Sequence, residues 1–109
     1  MFRKNHRQHK KLHNQAYLAF DAGDLQTAAD KFAELAKVHP DNAQYRYMLG
    51  LSAKYRMDWA LSLQANLAAI ACAPEFDEAA HLNAAIAATA LHDWQTARQL
   101  WAACGIPLP

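Results

Sequence analysis

The side chains best able to do chemistry crowd into the first thirteen residues. His6, His9 and His13 are spaced by three and four, which on a helix sets them within about 60° of one another. Three imidazoles on one face could hold Zn²⁺ or Ni²⁺. Yet no Asp, Glu or Cys lies among them, and Arg3, Lys4, Arg7, Lys10 and Lys11 surround them. Five cations without an acid repel a metal ion, so the stretch reads better as the solvated polar face of a helix than as a metal site. The same arm could make a salt-sensitive, sequence-blind contact with nucleic acid. Phe2 is the only aromatic near these cations, so stacking platforms for bases are missing and nucleic acid is disfavoured.

The rest of the chain offers little reactive chemistry. Gly23, Gly50 and Gly105 are isolated from one another, so no phosphate-cradling loop is present, and neither H-E-x-x-H nor G-x-S-x-G occurs. The acids sit where helix starts and loops explain them. No enzyme and no cofactor are expected. Cys72 and Cys104 are far apart and outside any C-x-x-C pattern; they read as reduced core residues of a cytoplasmic protein. No apolar run approaches the roughly 20 residues of a membrane span, and the basic N-terminus has no apolar segment behind it.

Something must position these residues. A chain of 109 residues is one domain's worth. Apolar residues make up 53 % with only three glycines, and the wealth of alanine over β-branched residues favours helix. Charge is lopsided: the five cations above meet no acid in residues 1–13, whereas the remainder carries six basic and ten acidic residues. The body is therefore mildly acidic beneath a basic arm.

Aligned on itself, the chain repeats. "GDLQTAADKFAELAKVHP" (23–40), "MDWALSLQANLAAIACAP" (57–74) and "HDWQTARQLWAACGIPLP" (92–109) fall in register, with steps of 34 and 35 residues. Asp24, Asp58 and Asp93 align at helix N-cap positions. Small Ala28, Ser62 and Ala97 align, then Phe32, Asn66 and Trp101, then Pro40, Pro74 and Pro109 beyond each helical pattern. The preceding halves align through Ala16, Gly50 and Ala85 and through Ala19, Ala53 and Ala88. The period predicts six helices in three hairpins, over 6–21, 24–38, 42–56, 58–72, 76–90 and 93–104.

The 34-residue step, Leu49-Gly50, the A-x3-F of Ala28 to Phe32 and the terminal prolines resemble the tetratricopeptide repeat (TPR) family. Gln15-Ala16 replaces Leu-Gly in the first repeat, Asn66 stands at the aromatic position of the second, and the third carries an extra residue near "EFDEAA". The resemblance implies an all-α, right-handed superhelical solenoid of three helix-turn-helix hairpins. Its divisions would be a basic arm at 1–8, read as the start of the first helix, and a TPR domain at 9–109, with repeats at 9–40, 41–74 and 75–109.

It also implies a concave groove lined by the first helices of the hairpins. The groove places fall on His13, Tyr17 and Phe20, then Tyr47, Leu51, Lys54 and Tyr55, then Leu82, Asn83, Ile86 and Thr89. The positions with which carboxylate-gripping TPR domains hold chaperone tails carry His13, Tyr17, Met48, Ala79 and Asn83 here; only Asn83 suits that task. A groove of Tyr, Leu and Ile fits a peptide with apolar anchors better. The architecture is similar to that of small three-repeat bacterial secretion chaperones. The leading expectation is a non-catalytic protein-interaction module, scaffold or chaperone-like, binding a protein or peptide partner.

The alternative is self-assembly. Repeat arrays finish in a polar cap, and no capping helix follows Leu100, Trp101 and Cys104. That hairpin's outer side is expected to be open, as a domain boundary in a longer chain or, second, as a contact surface for another copy. The third reading is the metal- or nucleic-acid-binding arm.

Overall fold

The computed structural model describes residues 2–73 and 78–109, with side chains from His6 onward. Pro74 and the predicted helix start at 76 lie outside the described residues, as do the Arg3 and Lys4 side chains. The described residues form six α-helices and no strand: α1 (Phe2–Asp21), α2 (Leu25–Val38), α3 (Ala43–Tyr55), α4 (Trp59–Cys72), α5 (Glu78–Ala90) and α6 (Trp94–Ala103). Each helix packs on the next in order, and α3 also touches α5. The result is an all-α helical-repeat solenoid, 54 × 26 × 17 Å. Helix α1 runs unbroken from Phe2, so the expected division between an arm at 1–8 and a domain at 9–109 falls inside one helix.

The three hairpin turns are copies of one device. Gly23, Met57 and His92 each adopt positive φ, at 80°, 59° and 59°. The left-handed residue lets the chain reverse while its own N–H and the next one return to the preceding helix. The N–H of Asp24, Asp58 and Asp93 reaches the carbonyl of Ala19, Ala53 and Ala88, each at 2.9 Å. The same aspartates then cap the following helix, their carboxylates accepting from the N–H of Thr27, Leu61 and Thr96. Each such cap stabilises its helix by about 1 kcal/mol. One short segment thus closes one helix and opens the next. Gly105, at φ 79°, ends α6 in the same way, with Ile106 N–H on the Trp101 carbonyl at 2.8 Å.

Close packing between hairpin mates depends on the aligned small residues. Ala16, Ala28, Ala85, Ala88 and Ala97 are fully buried. The middle pair is tighter: a Cβ on Gly50 would stand 2.5 Å from Asn66 Nδ2 and 2.9 Å from its Cγ. Only glycine admits the fully buried Asn66 there. Asn66 donates from Nδ2 to the Ser62 carbonyl at 2.8 Å, while its buried Oδ1 has no partner.

Candidate partner-binding face

The first helices of the hairpins, α1, α3 and α5, carry every residue assigned to the groove. Side chains tie these helices together across the repeats. His13 Nδ1 lies 2.8 Å from the Tyr45 hydroxyl, joining α1 to α3. Phe20 and Tyr55 bring their ring centroids within 6.2 Å. Lys54 Nζ donates to Asn83 Oδ1 at 3.1 Å, joining α3 to α5. The places read from the sequence therefore form one connected strip rather than three separate patches.

Burial divides that strip. Tyr17 is half-buried, its ring edge-on to Phe32 at 5.0 Å and 4.8 Å from His13. Tyr47 and Leu51 are half-buried and pack on the same core cluster as Tyr17. Asn83 is only 5 % exposed; its carbonyl oxygen holds Lys54, so neither serves as a free-standing polar contact. Ile86 is half-buried, and Thr89 accepts the indole N–H of Trp101 at 2.8 Å. Open to a partner are Tyr55, 57 % exposed, and Leu82, 38 % exposed. Lys54 lies 5.6 Å from the Tyr55 ring centroid, a cation–π distance that orients the phenol. The strip is a half-buried apolar floor with two exposed apolar posts.

The three N-terminal histidines do not meet at one point: His9 and His13 both reach the Tyr45 hydroxyl. His6 is exposed. His9 turns its ring to His39 at a centroid distance of 4.3 Å, while His13 goes to Tyr45. Among the described residues, no group of three or more His, Cys, Asp or Glu is placed to hold a metal ion. Burial, then the neighbouring His39, His13 and His6 imidazoles, holds the His9 pKa below its ordinary 6.5. Burial, then Tyr17, pushes the Tyr45 hydroxyl up.

Sequence reasoning missed Tyr45 and His39. Tyr45 is 3 % exposed and gathers partners from α1, through His9 and His13, and from His39 at the end of α2. The one available signal was its place three residues after Asn42, whose side chain caps α3 by accepting the Tyr45 N–H. That cap fixes the start of α3 and hence the face on which Tyr45 falls.

At the C-terminal hairpin Leu100 is buried, Trp101 is half-buried, and Trp94 and Ile106 are exposed. Leu100 lies within a cluster of buried residues, with Trp101 and Leu108 packed against it. The chain after Gly105 is extended and returns over the hairpin, with Arg98 Nε donating to the Pro109 carbonyl at 3.1 Å. Cys104 is half-buried and reduced; burial, then Glu78, pushes its thiol pKa up. No helix is long and apolar enough to cross a membrane among the described residues.

No protein-family model matches this chain, and no curated protein matches it.

Proposed function

We propose that this chain is a TPR-type interaction module that binds an extended or helical segment of a partner protein along α1, α3 and α5. The observation that carries this reading is the connected strip, in which Tyr55 and Leu82 stand exposed over a half-buried floor of Tyr17, Tyr47, Leu51 and Ile86. Rigid aromatic and aliphatic posts on packed helices suit peptide anchors, because little side-chain freedom is lost when they are covered. The isolated glycines and scattered acids favour binding over catalysis. Free cysteines fit a reducing compartment such as the cytoplasm. Self-assembly through Leu100, Trp101 and Cys104 draws less support, since Leu100 is buried and Leu108 packs on the same cluster.

The test is affinity capture with the full chain against a Tyr55→Ala/Leu82→Ala variant. Both side chains are exposed enough to remove without unfolding, which circular dichroism checks. A partner held by the parent chain should be lost, or weakened by about tenfold or more, as for other anchor truncations. Equal capture by both chains sinks the face as the binding site.

A further inference from the structure

At the junction of α1, α2 and α3, ring nitrogens are buried without partners. His9 Nδ1 and His39 Nε2 are both inaccessible and make no hydrogen bond. Their rings meet edge-on at 4.3 Å. Beside them the Tyr45 hydroxyl contacts His13 Nδ1 at 2.8 Å and His9 Nε2 at 3.3 Å. A phenol has one proton, so it donates to one imidazole and accepts from the other. Either assignment uses His9 Nε2 and leaves His9 Nδ1 orphaned.

We propose that this cluster is a pH-operated latch: α1 stays docked on the α2–α3 turn while His9 is neutral, and its protonation releases it. Protonating His9 leaves an N–H and a charge at a buried atom that has no acceptor, beside an equally unpartnered His39 Nε2; burying such a group without a partner is costly. The charged groups nearby are of both signs. On α1 the neighbours are His6 and His13, which oppose a charge on His9. Between α1 and α2 a groove of about 660 Å³, which His9 and His39 help to line, is also lined by Lys11, Lys31 and Glu34. Its lining thus holds one acid and two lysines, of which Lys31 donates to Gln15 Oε1 at 3.3 Å. Asp41 lines a neighbouring groove with His39. Facing the cluster from α3 is the Tyr45 phenol, an uncharged group whose ionisation is pushed further up by burial.

The sign follows from linkage. The His9 pKa is lowered in the folded chain relative to 6.5, so the unfolded chain takes up the proton first. Stability is therefore full above that ordinary value and is lost as pH falls through the window below it. Since His13 and Tyr17 lie on the proposed partner-binding face, release of α1 would also dismantle its first-hairpin end. That consequence rests on the binding reading; the latch does not.

The test uses the full chain and needs no partner. Thermal midpoints are compared at about pH 7.5 and about pH 5.5, a window in which histidines titrate while ordinary carboxylates stay ionised. Imidazole NMR titration and residue-resolved hydrogen exchange accompany them. A lower midpoint is expected at the lower pH, with exchange protection lost in α1 and the α2–α3 turn before α5 and α6. A His9→Gln/His39→Gln variant should lose most of that drop, and His92→Gln, at an exposed turn, should keep it. A pH-independent midpoint, protection lost first in α5 and α6, or a drop that survives the double substitution would overturn the latch. So would His9 titrating at or above its ordinary value, the sign of a proton shared between His9 and His39. Should the double variant fail to fold, the titration and exchange pattern of the parent chain decide alone. Failure here leaves the outcome of the Tyr55→Ala/Leu82→Ala capture untouched.

Discussion

Phe32 is fully buried in the first hairpin; at the matching place in the last, Trp101 is half-buried and hydrogen-bonded to Thr89. The difference extends through both cores. The N-terminal cluster joins Ala16, Ala28 and Ala36 to large Phe32, Leu35, Tyr45 and Met48. The C-terminal cluster is Ala84, Ala85, Ala88 and Ala97 with Leu100 as its one large buried member. The same backbone plan is therefore filled in two ways. In one, large side chains bury apolar area; in the other, helices approach closely over methyl groups. Hydrophobic stabilisation scales with apolar area buried, so the first hairpin gains more per contact and is the more sensitive to a void. The last gains less and tolerates no added volume. Between them Gly50 and Asn66 pair a missing side chain with a buried amide, a tight fit that leaves the Asn66 Oδ1 without a partner.

The contrast can be broken most directly at Phe32. Phe32→Ala should cost about 3–5 kcal/mol, the usual penalty for a cavity left by a buried ring, read as a fall in the urea midpoint. Trp101→Ala should cost clearly less, because its ring is half-exposed; equal losses would show that the two cores do not differ in kind. A middle-sized effect is expected at Gly50→Ala, which forces a methyl group onto Asn66 and should cost about 1–3 kcal/mol by overpacking. Adding Asn66→Ala should recover part of that loss, a coupling that a double-mutant cycle measures. The smallest effect has the opposite sign. Met57 holds positive φ where the first hairpin has Gly23. Met57→Gly should raise stability by up to about 1 kcal/mol by removing the clash of a Cβ in the left-handed region. No gain there would mean that the Met57 side chain, though exposed, contributes packing that offsets its strain.

Most of the fold was legible because its determinants are local. The aspartate caps and the small-residue marks recur at a fixed step, and each acts within one turn of helix. Apart from the start expected at 76, which lies outside the described residues, the helix boundaries read from them agree with the observed ones to within one residue except at the N-terminus. There α1 begins at Phe2, in polar residues that carry no apolar periodicity to mark it. The candidate face was legible only as a set of positions. Its placement on α1, α3 and α5 is what the resemblance to TPR repeats implies, and that resemblance does not say which members stand open. Asn83 looks like an exposed polar contact and is buried by its bond to Lys54, 29 positions away. Tyr45, His9 and His39 meet only when three elements are packed together, and no local pattern announces such a meeting. The return of Leu108 over α5 and α6 was hidden for the same reason, since prolines signal that a helix stops and say nothing of where the chain goes next.

The order in which the helices pack, each on its predecessor, bears on how the chain acquires its structure. Contacts made between sequence neighbours need only short loops to close, so little chain entropy is spent before an interaction is gained. Synthesis delivers the hairpin with the largest buried side chains first. Phe32 and Leu35 can be sealed by Tyr45 and Met48 of α3 before α5 and α6 exist. The alanine-faced hairpin, weaker on its own, then grows onto a finished surface. A chain arranged in the reverse order would have to wait for its strongest core until last, exposing its apolar faces throughout.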